Sequence, residues 1–449
     1  MSRGHRVKLL LGAIGTATLL VAGSASAQAP SSTLEQQFEA AFQQMLRDPS
    51  NLDNTFKYAE LAIRIGDYEA AISALERMLL FNPDLPRVRL ELGVLYFRLG
   101  SYAISRTYLT RALEGEDVPD DVRARVATYL AEIEKRTSRH RFAGSFYGGA
   151  RYQTNANAGP NSTAISLLGV EANLDSQFTE MPDWNLFASG SVRYTYDPQL
   201  QTGEVLQADL LLYGAEQFEQ GQLDLLYAEL KIGPRGQFWP EMIEGVSYRP
   251  YVLGQQTLLD DTAYFRAFGG GFNLAKQFGP VISGEANLEH IVKNYHNSEG
   301  RPTLENQDGA ETELRLDMNF AIGPTSVLSL GGAVKTENAE ESLFSNIEYL
   351  LTASYTLSYA VPIDNLPTDR WTSSFSVTRV WTSYHEPDPA VDPVKNRSDQ
   401  EWRWSILTSV PVSENWALIG TLQRTMVDSN FRNFNYNNTS ASIGASYRF

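Results

Sequence analysis

The chain has 449 residues, no cysteine and a formal net charge of −16. That acidity argues against nucleic acid as a partner, because phosphate backbones demand Lys and Arg clusters that are not present, and the lack of thiols excludes both disulfides and a cysteine-borne acyl anchor. Beyond the extreme N-terminus no run of about 18 uncharged apolar residues occurs, so a spanning helix is excluded and any membrane crossing has to be a β-barrel.

Arg3, Arg6 and Lys8 precede an apolar run from Leu9 to Ala22 and then the small residues Ala25-Ser26-Ala27. This order predicts a cleavable secretory signal over residues 1–27, with the mature chain starting near Gln28. The leader carries three basic and no acidic residues, so its removal would take the net charge to −19.

Residues 28–138 read as a helical domain with an internal period. Gly66 and Gly100, Tyr68 and Tyr102, Ala59 and Gly93, Leu75 and Leu109, Leu79 and Leu113, and Pro49 and Pro83 are each 34 residues apart, the tetratricopeptide spacing. The small residues Ala59, Gly93 and Ala71 allow close helix approach, while Gly66 and Gly100 punctuate the turns. Two complete repeats are flanked by lone helices at Leu34–Leu46 and Asp121–Lys135 that can cover the open ends of the stack. Such an array is either a concave surface that grips an extended segment or a helical plug. Candidate partner contacts are Tyr58, Arg64, Tyr68, Tyr96, Arg98, Tyr102 and Arg106, of which Tyr68 and Tyr102 also hold repeat positions that pack.

At the basic run from Lys135 to Arg141 the apolar period changes from 3.6 to 2, and residues 139–449 read as strands separated by Gly, Pro, Asn and Asp clusters. Fifteen segments qualify: 142–155, 164–176, 184–197, 204–219, 222–232, 246–258, 262–276, 280–294, 309–321, 326–337, 346–360, 371–383, 399–411, 416–429 and 438–449. Single-chain bacterial barrels have an even number of strands, which predicts about 14, with 16 second. The tight turns at 277–280 and 321–324 and the long loops at 296–307 and 385–398 fall on opposite ends only if the surplus segment lies before residue 276; the expected place is 204–258. The predicted fold is an α + β multidomain chain, a tetratricopeptide solenoid followed by an antiparallel transmembrane β-barrel.

Alternation also predicts which face is wet. Glu285 and Glu289 lie opposite Ala286 and Leu288, and Glu311, Glu313, Arg315 and Asp317 opposite Leu314 and Leu316, so these charged residues are expected to line a polar, largely acidic lumen. Trp184, Trp371, Trp381, Trp402, Trp404 and Trp416 stand at or near segment ends, where interfacial aromatic belts sit. In the last segment Ala441, Ile443, Ala445, Tyr447 and Phe449 alternate with Ser442, Gly444, Ser446 and Arg448. The chain's Tyr447-x-Phe449 end is similar to the closing strand of outer-membrane barrels, in which that pattern serves as the barrel-insertion signal.

The helical domain joined directly to a barrel, together with the stretch Arg141 to Pro160 (RFAGSFYGGARYQTNANAGP), the WNLFASGSVRYTYD segment from Trp184, Gly233-Pro234 and Arg249-Pro250-Tyr251, resembles the surface lipoprotein assembly modifier family of outer-membrane translocators. The resemblance implies an outer-membrane protein with its N-terminal domain in the periplasm, moving a client protein to the cell surface. Implied partners are a secreted client or a periplasmic chaperone, membrane lipid, and the barrel-assembly machinery. Outer-membrane export of a polysaccharide is the alternative, since it shares the repeat-plus-barrel plan and an acidic lumen would suit a cationic polymer. No enzyme, cofactor or metal is expected. His5, His140, His290, His296 and His385 lack ligand spacing, and Gly269-Gly270-Gly271 lacks phosphate-loop context and instead predicts a place where small residues reshape the wall.

Overall fold

The computed structural model describes residues 32–114, 118–238, 245–361 and 370–449; the predicted leader, residues 1–27, lies outside them. The described chain divides into a helical unit ending at Arg139 and a β unit starting at His140.

The helical unit contains α1 (Ser32–Arg47), α2 (Leu52–Ile65), α3 (Tyr68–Phe81), α4 (Pro86–Arg98), α5 (Tyr102–Arg111) and α6 (Asp120–Thr137). Side-chain carboxamide or carboxylate caps from Asn51 and Asp67 start α2 and α3, and Gly66 at φ +88° ends α2 in the left-handed conformation that a Cβ disfavours. Gly93 is needed for close approach, since a Cβ there would stand 2.6 Å from the Leu109 side chain. The helices starting at 52, 86 and 120 repeat at 34 residues, so α6 occupies the first-helix position of a third repeat. Pairs bridge α4 and α6 at that same interval, Arg87 with Asp121 at 3.4 Å and Arg125 with Glu91 at 3.0 Å. Buried Leu75, Leu90, Leu92, Leu95, Leu109, Val122, Val126 and Ile133 form the core of the stack.

The β unit is a closed antiparallel barrel of 14 strands: β1 (His140–Gln153), β4 (Asp183–Tyr196), β5 (Val205–Gln217), β6 (Leu225–Gln237), β7 (Val246–Leu259), β8 (Thr262–Gln277), β9 (Ile282–Tyr295), β10 (Gly309–Gly323), β11 (Ser326–Ala339), β12 (Asn346–Ala360), β13 (Arg370–Pro387), β14 (Asn396–Pro411), β15 (Trp416–Ser429) and β16 (Tyr436–Arg448). β1 closes on β16 in antiparallel register from Ser145↔Arg448 to Gln153↔Ser440. The surplus segment is 164–176, not one within 204–258. It forms a separate hairpin, β2 (Ala164–Leu167) with β3 (Val170–Asn173), in the loop after β1. Each of its arms has four residues, whereas a tilted spanning strand needs about nine to eleven. The hairpin leans on the loops after β13 and β15, through Leu168 and Gly169 N–H donated to Ala390 and Val391 and a reciprocal pair between Ser166 and Asn433.

The turns at 278–281 and 324–325 lie at the end of the barrel that holds His140 and the C-terminus, and the loops at 296–308 and 388–395 at the other end. The ladder registers place large exposed apolar side chains, such as Leu186, Val252, Phe268, Leu288, Leu316, Leu351, Ile406, Leu422 and Ile443, on the outer face. Among the described residues no helix is long and apolar enough to cross a membrane. Outward aromatics are grouped near the terminal end (Phe142, Tyr194, Tyr359, Trp371, Trp416 and Tyr447) and towards the other (Tyr152, Trp184, Tyr349, Trp381 and Trp402), but Trp404, expected at a segment end, stands mid-strand on β14, and Tyr355 and Phe375 also lie between the two groups.

Candidate functional site: a repeat groove and a charge-paired lumen

The candidate contacts on the helical unit separate by burial. Tyr58 is 7% exposed and stacks on Phe38 at 5.0 Å and Phe42 at 5.5 Å, so its ring belongs to the core and offers no free surface to a partner. Tyr68 packs against the same core, and Tyr102 meets Phe97 edge-on at 5.6 Å while its hydroxyl accepts from Arg136 at 3.2 Å. Arg64 pairs with Glu60 at 2.8 Å and Arg106 with Glu134 at 2.8 Å, both on the surface; Arg98 is exposed. Tyr96 and Tyr108 stack at 5.6 Å and both donate to Glu76, at 2.9 and 3.1 Å, which ties α3, α4 and α5 together. Burial first, then the Glu76 carboxylate, pushes the Tyr96 phenol up to about 12.

An open pocket of ≈ 550 Å³ lies between α4 and α6, lined by Phe97, Thr128, Tyr129, Ala131, Glu132, Lys135 and Arg136. Phe97 and Tyr129 meet edge-on at 5.3 Å, and the Arg136 guanidinium sits 4.7 Å from the Phe97 ring while donating to Glu132 at 2.8 Å. An apolar floor with cations and a carboxylate on its rim is a place for an apolar side chain of an extended segment. Sequence reasoning missed this pocket. The tyrosines and arginines repeated at 34 residues drew attention to packing positions, whereas the pocket's residues come mostly from α6, which read as a lone cap.

In the barrel, Glu285, Glu289, Glu311, Glu313, Arg315 and Asp317 all lie on the inward face of β9 and β10, alternating with outward Ala286, Leu288, Leu314 and Leu316. Carboxylates outnumber bases on the wall they form, but many of them are paired. Lys231 reaches Glu289 at 2.8 Å and Glu229 at 3.5 Å, Lys293 joins Glu311 and Glu337, Lys335 pairs with Glu348 at 3.4 Å, Arg315 with Asp317 at 3.0 Å, and Asp209 takes both Arg193 and Arg249 at 2.6 Å. Glu285 instead accepts from Asn273 at 2.6 Å, and Glu313 stands directly across from Lys335 in the ladder.

The Gly269-Gly270-Gly271 run explains how strands β6 and β9, separated by two others, meet. Gly269 and Gly271 face inward on β8, and a Cβ on Gly271 would stand 2.4 Å from the Tyr251 ring. Bare backbone there leaves room for Tyr251, whose hydroxyl donates to Glu289 at 2.8 Å, and for Lys231 behind it. Beside this belt Leu253, Leu259, Tyr264, Phe265, Ile291 and Tyr295 form an apolar inner cluster that Leu304, from the loop after β9, covers. The opposite arc is lined by small hydroxyl side chains, with cross-strand pairs such as Thr352–Thr378 at 3.1 Å, Ser358–Thr372 at 2.9 Å, Ser376–Ser405 at 2.6 Å and Ser145–Ser191 at 2.8 Å. This arc also carries the inward ion pairs Arg397–Asp399 at 2.7 Å and Arg403–Glu401 on β14, so hydroxyls and paired charges share it.

Terminal Phe449 pairs with Gly144 through two backbone hydrogen bonds of 3.1 Å, and its exposed ring stacks on outward Tyr447 at 6.2 Å. Among the described residues no group of three or more His, Asp or Glu is arranged to hold a metal.

An apolar outer face between two aromatic levels, a polar interior and a repeat domain define the class: an outer-membrane β-barrel with an N-terminal tetratricopeptide domain. Residues 59–132 match the tetratricopeptide repeat family. Among solved structures, the type III secretion chaperone SycD of Yersinia enterocolitica, in complex with a peptide of the translocator YopD, is 18% identical, covering 24% of this chain and 98% of that one with a TM-score of 0.21. The tetratricopeptide protein TTC0263 of Thermus thermophilus is 23% identical over 22% of this chain and 50% of its own (TM-score 0.21), and the Sgt2 domain of Aspergillus fumigatus 18% identical over 23% and 70% (TM-score 0.22). No curated protein matches the chain. The two parts together are the architecture on which the resemblance to surface lipoprotein assembly modifiers rests.

Proposed function

We propose that this chain is an outer-membrane translocator that brings a client protein to the cell surface, with the helical unit in the periplasm capturing an extended segment of the client and the barrel passing or templating it. The observation that carries this reading is the presence, in one polypeptide, of an aromatic, charge-rimmed pocket between α4 and α6 and a barrel of 14 strands with a polar inner wall. Fourteen strands enclose more than side chains alone fill, in contrast to eight-stranded barrels. Covalent linkage through residues 138–140 raises the client's effective concentration at the pore without any added contact. The inward hydroxyls offer an extended backbone weak, exchangeable hydrogen bonds, which suits passage better than tight holding. The chain acts by binding and conduction, with no catalytic step and no cofactor. Its own insertion goes through the barrel-assembly machinery, which reads Tyr447 and Phe449.

Polysaccharide export draws less support, because bases paired along the lumen offset part of the acidic field that would favour a cationic polymer. The test is a photo-crosslinking residue at Thr128 or Ala131 in intact cells, followed by deletion of the chain. The expected result is a crosslinked polypeptide that loses its protease accessibility at the cell surface in the deletion strain while its synthesis continues. Loss of a surface polysaccharide with every surface polypeptide unchanged would refute the reading.

A further inference from the structure

Among the described strands three arginines stand on the outer face of the barrel: Arg266 of β8, whose Nε donates to Gln256 at 2.9 Å, and, close together on neighbouring strands, Arg379 and Arg424. Arg379 of β13 pairs in the ladder with Trp402 of β14, Trp402 with Met426 of β15, and Arg424 of β15 with Trp404; all of these share the outward parity of exposed Phe375, Ile406 and Leu422. The Arg379 guanidinium lies 4.6 Å from the Trp402 ring and 5.3 Å from the Trp381 ring and donates to Gln400. Arg424 is exposed and donates to Thr439 Oγ1 at 2.6 Å. Among the described residues neither makes an ion pair, in contrast to Arg193, Lys231 and Lys293 in the lumen; the carboxylate on this face is Asp428, across from Gln400 and nearer the rim.

Their height follows from the ladder. A strand rising about 3.3 Å per residue and tilted about 40° climbs about 2.5 Å per residue along the membrane normal. Outward Trp371 and Trp381 are ten residues apart on β13, which places them about 25 Å apart, the height of an apolar band between its girdles. Arg379 lies eight residues above Trp371, and Arg424 eight above Trp416 on β15, so both stand at about 20 Å, just beneath the girdle remote from the chain termini. Two strand spacings, about 10 Å, separate them, and the stacked Trp402 and Trp404 rings (5.8 Å, 23°) lie between.

We propose that this face binds the headgroup of a phosphorylated glycolipid in the outer leaflet. Each guanidinium takes a phosphate, for which its fork of donors is suited, and the exposed indole faces between them pack against sugar rings. Two anion sites flanking an aromatic platform fit a sugar headgroup phosphorylated at both ends better than a single glycerol phosphate. The inference rests on the outer-membrane reading of the barrel.

The experiment uses the full chain purified in detergent, with the midpoint of its heat-dependent gel-mobility shift measured alone and with bisphosphorylated lipid A, dephosphorylated lipid A, phosphatidylglycerol or inorganic phosphate. Bisphosphorylated lipid A is expected to raise the midpoint by about 5 °C or more at saturation and the other three to leave it in place. The Arg379→Gln/Arg424→Gln double variant keeps the basal midpoint and loses the rise; the single Arg424→Gln variant, altered only at an exposed position, gives a smaller rise and serves if the double variant does not fold. An undiminished rise in both variants, or an equal rise with phosphatidylglycerol, dephosphorylated lipid A or phosphate, overturns the proposal. A native chain with no mobility shift in any sample overturns the barrel reading itself, and the lipid site falls with it.

Discussion

Replacing Lys293 by Met removes the cation that joins β9, β10 and β11 inside the barrel. Lys293 Nζ donates to Glu311 and, at 3.1 Å, to Glu337, and its side chain is only 14% exposed. Glu311 and Glu337 are direct cross-strand partners, so without the cation two carboxylates face each other on adjacent strands. At a separation of about 5 Å and an effective dielectric of about 20 their repulsion is about 3 kcal/mol, which agrees with the cost of about 3–5 kcal/mol for breaking a buried pair from one side. Urea unfolding of the refolded barrel, followed by tryptophan emission, is expected to show Lys293→Met destabilised by about 3 kcal/mol and Lys293→Met/Glu337→Gln recovering most of that loss. A single variant as stable as the native chain, or a double variant no better than the single, would refute the account of the lumen as a belt of matched charges.

Tyr58→Ala removes a ring stacked on Phe38 and Phe42 and is expected to cost the helical unit about 3 kcal/mol, seen as an earlier loss of helical circular dichroism on heating. Deletion of Phe449 removes both backbone bonds to Gly144 at the closing seam; a smaller fraction of chains reaching the heat-shiftable, membrane-inserted form is the expected outcome on gels of outer-membrane fractions. The raised phenol of Tyr96 gives an alkaline limit. With a folded value of about 12 against an ordinary 10, its contribution is present in full below pH 10 and is lost as the pH rises towards 12, so pH titration of the helical signal should show a decline in that window that Tyr96→Phe diminishes.

The parts of this fold that were legible in sequence are those fixed by a period. An interval of 34 residues reports how often the chain must present a small residue at a helix crossing, and Gly93 beneath Leu109 shows the steric reason. Period 2 reports which side chains share a face, and it is enough to sort Glu289 from Leu288 without any knowledge of neighbours. What a period does not carry is spanning length or partnership. The 164–176 segment has strand composition, yet Leu168 and Gly169, at φ +52° and +80°, turn it back after four residues, and an alternating pattern does not register so early a reversal.

Partnership depends on register between strands distant in sequence. Lys231 and Glu289 are 58 residues apart and meet because two intervening strands offer glycine backbone and room for Tyr251 there, so the carboxylates along β9 and β10 gain partners such as Lys231 only once β6 closes around them. The same dependence separates two classes of base on this barrel. Lys293 and Arg249 face carboxylates because closure brings them there, whereas Arg379 and Arg424 point outward, where they make no ion pair among the described residues. Arg379, held against the Trp381 and Trp402 rings on the outer face, is a feature of the folded wall alone, set by a register between strands that no period in the sequence carries.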